Sequence, residues 1–217
     1  MSRKFTLPHL LIASNNAGKA KELEELLAHL PLQLSLAAEF AITEPEETGT
    51  SFVANAELKA RYYGQKANLP TIADDSGLSI AALDGAPGVY SARLAGPDKD
   101  FNLAMRLLQE RVETAYLGVS SPNYQATFTC ALSMWWPDDH VENFIGEVHG
   151  KITFPAIGDL GFGYDPIFIP GGYDITFAQM LPQTKNAISH RKIAFDQLIK
   201  SCFSYNSLIQ TACLAYH

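Results

Sequence analysis

The chain has 217 residues, 47% hydrophobic and 18% charged, with a formal net charge of −7; this is globular composition, long enough to bury a sizeable core. The negative balance gives no field to gather nucleic acid or an acidic membrane, so an anionic ligand must be met by a few placed cations or a metal. Cys130, Cys202 and Cys213 lack CxxC spacing, which points away from zinc or a disulfide framework and toward a reducing, cytoplasmic setting, and no apolar run reaches the ~20 residues that cross a bilayer.

The opening MSRKFTLPHLLIA sets basic residues before an apolar run, but Pro8 and His9 interrupt it. A first strand at 10–13 is therefore expected rather than a leader. The turn SNNAGK leads into a helix in which Ala20, Leu23, Leu26, Leu27 and Leu30 recur at helical spacing, capped by Asn15 or Asn16. The acidic loop TEPEETGTS precedes a second helix whose Phe52, Ala56, Ala60, Tyr63 and Ala67 share one face. A strand at 71–73 is expected to end on Asp74-Asp75. Leu78, Ile80 and Ala82 then alternate up to an Asp84-Gly85 turn. A third helix is expected over 100–112, turning Phe101, Ala104, Leu107 and Leu108 inward. ATFTCALSMWW and VENFIGEVHG read as a hairpin around Pro137-Asp138-Asp139, and GFGYDPIFIP as a glycine turn into a short strand. One final helix over 185–203 would bury Ile188, Phe195, Leu198 and Ile199. Helices alternating with strands at both ends predict an α/β fold with a mixed central sheet and flanking helices, in a single domain over 1–217.

The functional candidates lie at strand ends and helix starts, where open α/β sheets bind ligands. The SNNAGK junction offers phosphate the free N–H groups and partial positive charge of a helix start, and Lys19 adds a full charge; a P-loop pattern is absent. By itself it reads more readily as a capped helix with a solvated lysine. In ADDSG, two carboxylates suit Mg²⁺ directly or through its waters, and one can take a proton from attacking water. As a stability device, two adjacent like charges are a poor choice. Glu44, Glu46 and Glu47 form a further acidic cluster that by itself is a solvated loop. GFGYDP sets aromatics, glycines and a carboxylate on a tight turn, which serves a flat ligand or simply a core. TKNAISHRK starts a helix with cations, against the dipole, a misfit that an anion would offset.

Taken in order, SNNAGKAKEL, EETGTSFVANAELKA, IADDSGL, GAPGVYSAR, GFGYDPIF and KNAISHR resemble the noncanonical purine nucleoside triphosphate pyrophosphatases, the Ham1-like inosine/xanthosine triphosphatase family. The resemblance runs from Ser14 to Arg191. It implies Mg²⁺-dependent hydrolysis of ITP, dITP or XTP to the monophosphate and pyrophosphate, by a homodimer whose two lobes flank a nucleotide cleft. It places Ser14, Asn15, Asn16, Ala17, Gly18 and Lys19 at the triphosphate. Asp75 becomes metal ligand and proton acceptor, with an acidic partner from the Glu46-Glu47 pair, Glu46 being preferred. Ser76 would touch substrate. Phe162, Gly163, Tyr164, Asp165, Lys185, His190 and Arg191 would hold base and ribose, with Arg191 and His190 reading the C6 oxygen while Phe162 stacks on the ring.

Two rival readings are a Maf-like pyrophosphatase for other modified nucleotides and a nucleotide-binding module without turnover. KNAISHR with GFGYDP opposes the first, and an aspartate placed as a base opposes the second. PAIGDLGFGYDP carries fewer glycines ahead of its turn than the family pattern. The tail SYNSLIQTACLAYH runs past the expected last helix and is apolar enough to dock on a neighbour.

Overall fold

The computed structural model describes residues 2–120 and 122–203, so the tail beyond 203 lies outside the described residues. Strands β1 (His9–Ala13), β2 (Gln33–Leu36), β3 (Thr71–Ile80), β4 (Gln125–Trp135), β5 (Val141–Ile152) and β6 (Phe168–Pro170) form a mixed sheet in the order β2-β1-β3-β4-β5-β6. The helices are α1 (Ala17–Leu27), α2 (Phe52–Ala67), α3 (Ser91–Leu94), α4 (Phe101–Ala115), α5 (Pro182–Ile188) and α6 (His190–Cys202). The expected α/β class is what the chain adopts. It divides into two compact units, one made of residues up to 75, 130–146 and from 191 onward, the other of 76–129 and 147–190.

In the first unit, β1 lies parallel to both neighbours, with Leu11 opposite Ser35 on one side and Thr71 on the other. A parallel strand covered on both faces reads as a continuous apolar run, as the buried residues 10–13 do. Strand alternation then sorts the side chains. Leu10, Ile12 and Ile72 join Leu23 and Leu27 of α1 and Phe195 and Leu198 of α6 in one cluster. Leu11, Ala13 and Ala73 join Ala60 and Tyr63 of α2 in another. Each fully buried side chain of this kind is worth about 1.5–3 kcal/mol. Strand β2 is an element that the sequence pattern also held, in the alternation of Leu32, Leu34 and Leu36 within PLQLSL, although it was not among the expected elements.

Two expectations are corrected. Strand β3 does not end at Asp74-Asp75 but runs through both to Ile80. What ends there is β1, whose Ala13 pairs with Ala73, so both aspartates sit immediately past the last β1–β3 pair. The strand tolerates them because successive side chains point to opposite faces and each carboxylate finds its own cations. The second correction concerns the last helix, which is two helices. Pro182, whose missing N–H costs nothing in a first turn, starts α5 ahead of Lys185. Ser189 then takes extended backbone (φ −73°, ψ 154°) before α6 begins at His190.

In the second unit, β5 and β6 are antiparallel, with Ile152 opposite Phe168. Phe128 packs edge-on against Phe168, ring centroids 4.6 Å apart, and Phe168 meets Phe177 at 5.2 Å. Ala104, Met105, Leu108 and Val112 of α4 complete this core with Leu78 and Ile80. The Asp100 carboxylate caps α4 by accepting the Leu103 N–H at 2.9 Å. Among the described residues no helix is long and apolar enough to cross a membrane.

Candidate active site

The turn after β1 delivers the chain directly into α1. The Asn16 side chain is the cap, its Oδ1 accepting the Lys19 N–H at 3.1 Å, which satisfies one of the free donors of the first turn. Asn15 donates instead to the Tyr63 hydroxyl at 2.8 Å, and Ser14 hydrogen-bonds the Asn16 backbone at 3.3 Å. Ala17 and Gly18 form the first turn of the helix. The Lys19 ammonium reaches Asp74 Oδ1 at 2.6 Å.

Asp74 lies on the β3 face covered by α1 and α6. Its Oδ2 accepts Arg191 Nε at 3.1 Å and the Cys130 thiol at 2.9 Å. Arg191, 1% exposed, also pairs with Glu22 of α1. Burial opposes ionisation of Asp74, but Arg191 and then Lys19 outweigh it and hold the carboxyl well below the usual aspartate range. Burial opposes the Arg191 charge in the same way, and Asp74 and Glu22 more than restore it. Burial, helped by Asp74, pushes the Cys130 thiol well up, so it donates as a neutral S–H.

Asp75 lies on the opposite face, toward α2. Lys59 Nζ sits 3.0 Å from Asp75 Oδ1 and 2.7 Å from Glu47 Oε1. Asn55 donates to Asp75 Oδ2 at 3.3 Å and fixes the preceding loop by accepting the Gly49 N–H at 2.8 Å. Burial pulls on the Lys59 ammonium, but Asp75 and Glu47 prevail and its pKa rises above the ordinary lysine value. Asp75 itself is raised, with burial as the largest cause and Lys59 the main opposing one. A carboxylate whose pKa burial raises is a better proton acceptor than a solvated one.

Among the described residues no group of three or more His, Cys, Asp or Glu side chains is arranged to hold a metal. Mg²⁺ does not require one, because it keeps several waters and takes one or two carboxylates together with substrate phosphates. Asp75 and Glu47, both converging on a single cation, are hard oxygen donors of that kind. Glu46 is exposed and Glu47 only partly so.

In the second unit, the turn at 161–165 is held by the Asp165 carboxylate. Its Oδ2 accepts the Phe162 N–H at 2.9 Å and the Lys185 ammonium at 2.6 Å. Gly161 has φ +73°, and a Cβ there would collide with that carboxylate, so both reasons for glycine coincide. The Lys185 ammonium also stands 4.4 Å from the centre of the Phe162 ring, a cation–π contact. Phe162 borders a cavity of about 430 Å³ together with Lys99, Phe101, Asn102 and Leu160. Tyr164 is a core residue, its ring edge-on to Phe101 at 5.2 Å and its hydroxyl donating to Ser91 O at 2.8 Å. Gly163 stands beside Phe101, and Ser76 is half-buried on β3.

The residues expected around the base make the following contacts, each within its own unit. Lys185, Phe162 and Asp165 form one cluster. His190 lies flat on Phe128, centroids 4.9 Å apart with planes 9° from parallel. Arg191 belongs to the first unit, buried on Asp74 and Glu22.

Three residues escaped the sequence reading: Glu22, Asn55 and Lys59. The last two carried a signal. They are spaced i, i+4 inside the apolar stripe of α2, beside Ala56 and Ala60, and polar residues in a buried stripe require partners.

Comparison with known proteins follows the same lines. The sequence profile of the Ham1 family matches residues 10–201. A dITP/XTP pyrophosphatase of Rhodospirillum centenum is 50% identical over 202 residues, 93% of this chain and 98% of that protein. Another of the same name, from Zymomonas mobilis, is 46% identical over 200 residues, 92% of this chain and 94% of its own. Among solved structures, a HAM1 protein from Coxiella burnetii shares the fold with a TM-score of 0.81 and 38% identity, covering 89% of this chain and 98% of that one.

Proposed function

The chain belongs to the Ham1 family, and from that membership we propose how its residues carry out the chemistry. It is a pyrophosphatase that hydrolyses noncanonical purine nucleoside triphosphates such as dITP and XTP to the monophosphate and pyrophosphate. The observation that carries the mechanism is the pair of carboxylates, Asp75 and Glu47, on the buried ammonium of Lys59. Asp75 accepts a proton from the water that attacks the α-phosphorus, and the P–O bond to the β-phosphate breaks. Asp75 and Glu47 would hold Mg²⁺, which when bound would neutralise phosphate charge, with Glu47 in the place expected for Glu46. The start of α1, from Ser14 to Lys19, holds the outer phosphates of the leaving pyrophosphate. Ser76 touches the substrate.

The purine is assigned to the second unit, where Phe162 offers its ring face and Lys185 a donor for the C6 oxygen. His190 acts from beneath by fixing Phe128. Gly163, Tyr164 and Asp165 set the shape of that turn. A buried donor aimed at C6 is satisfied by the oxygen of hypoxanthine or xanthine and is left facing the amino group of adenine.

Purified protein with Mg²⁺ is expected to release pyrophosphate from ITP, with kcat/KM above that for ATP by a factor on the order of 10⁴. Water enriched in the heavy oxygen isotope should label the monophosphate. Label in pyrophosphate would place the attack at the β-phosphorus, and equal turnover of ATP and ITP would remove the purine selectivity from the reading.

A further inference from the structure

Strand alternation sends Asp74 and Asp75 to opposite faces of β3, and only Asp75 meets Lys59 and Glu47. Asp74 divides its two oxygens, Oδ1 to Lys19 at 2.6 Å and Oδ2 to Arg191 at 3.1 Å, and Arg191 continues to Glu22. Two carboxylates and two cations make this quartet neutral, which suits its burial. It is not closed evenly. The Arg191 and Asp74 side chains are 1% and 0% exposed, whereas Lys19 retains 16%. Glu22 keeps 11%, so the quartet reaches solvent at its two ends, and the Lys19 end is the one that follows the turn proposed to hold phosphate.

We propose that Asp74 is a positioning residue that aims the Lys19 ammonium at the leaving pyrophosphate, and that it binds neither metal nor substrate. The proposal rests on the hydrolase reading above. A lysine is a point charge on a flexible stem. Of its three N–H groups, Asp74 fixes one and so orients the others. Arg191, itself anchored by Glu22, and the Cys130 thiol keep the carboxylate from turning. The same carboxylate competes with an incoming phosphate for Lys19, so it lowers affinity for the ground state while fixing geometry for the transition state. An interaction of that kind appears in kcat rather than in binding.

The test is Asp74→Asn in the full chain, with inorganic tripolyphosphate as a base-free binding probe, titrated calorimetrically in EDTA. Tripolyphosphate is expected to bind the variant at least as tightly as the parent. With ITP and Mg²⁺, kcat should fall by about 10- to 100-fold, the scale of a misplaced group, at an unchanged half-saturating Mg²⁺ concentration. Weaker tripolyphosphate binding, an unchanged kcat or a shifted Mg²⁺ requirement would each overturn the proposal. The single variant leaves buried Arg191 and half-buried Lys19 facing Glu22 alone. If it fails to fold, the charge-balanced Asp74→Asn/Arg191→Gln pair decides by the same tripolyphosphate titration, which no base contact can influence. Should the parent release no pyrophosphate from ITP, the hydrolase reading falls, while the titration still shows whether Asp74 competes for Lys19.

Discussion

Asp75→Asn is expected to lose about 10²- to 10⁴-fold in turnover, the usual scale for loss of a general base, and to remain folded. The amide keeps the shape of the carboxylate but accepts no proton and gives up a metal ligand. Lys59 stays paired with Glu47, 2.7 Å away, so no buried cation is stranded. Burial raises the Asp75 pKa, so in the parent kcat/KM should fall as pH drops through a value above the ordinary aspartate range, when Asp75 takes up its proton. That limb should be missing from the residual activity of the variant. The sign for stability is the reverse. A carboxyl raised by folding contributes stability below its unfolded pKa and loses it as pH rises through the folded one. Asp75→Asn should therefore be no less stable than the parent at neutral pH. Rates across pH and a circular-dichroism melt read both effects, and a folded variant with more than about a tenth of parental activity would refute the base assignment.

Lys185→Met is expected to destabilise the protein by about 3–5 kcal/mol, as breaking a buried ion pair does. Asp165 would be left 3% exposed, with its charge answered by the Phe162 N–H at 2.9 Å but by no ammonium at 2.6 Å. The Phe162 ring would lose the cation against its face, so the turn that presents it should loosen and KM for ITP should rise. Adding Asp165→Asn removes the stranded charge and should restore most of the stability without restoring KM. Urea denaturation separates these outcomes. A loss below about 1 kcal/mol, the range of a solvated pair, would mean that Lys185 is not committed to Asp165.

Much of the molecule was legible because its signals are local. The helical stripe of α2, the hairpin of β4 and β5 around its turn, and the helix α4 starting after Asp100 each depend on residues a few positions apart. The motifs from SNNAGK to KNAISHR likewise marked the stretches that carry the turn into α1, the two carboxylates and the Phe162 turn. The break at Ser189 was not legible. Ile188, Phe195 and Leu198 keep a helical rhythm across it, and only backbone geometry shows that Lys185 and Arg191 serve different clusters.

The paired aspartates mark the boundary most clearly. The sequence alone determined that Asp74 and Asp75 follow the short buried run 71–73 and that two neighbouring carboxylates need cations. Strand periodicity by itself would have put them on opposite faces, had β3 been read as continuous. It did not determine which cations they meet. Lys19 comes from α1, Lys59 from α2 and Arg191 from α6, and no spacing along the chain encodes their convergence on adjacent residues of β3. Helices on both faces of a parallel strand decided it. One face gives Asp74 a buried neutral quartet and a depressed pKa, while the other gives Asp75 a shared lysine, a second carboxylate and a raised one.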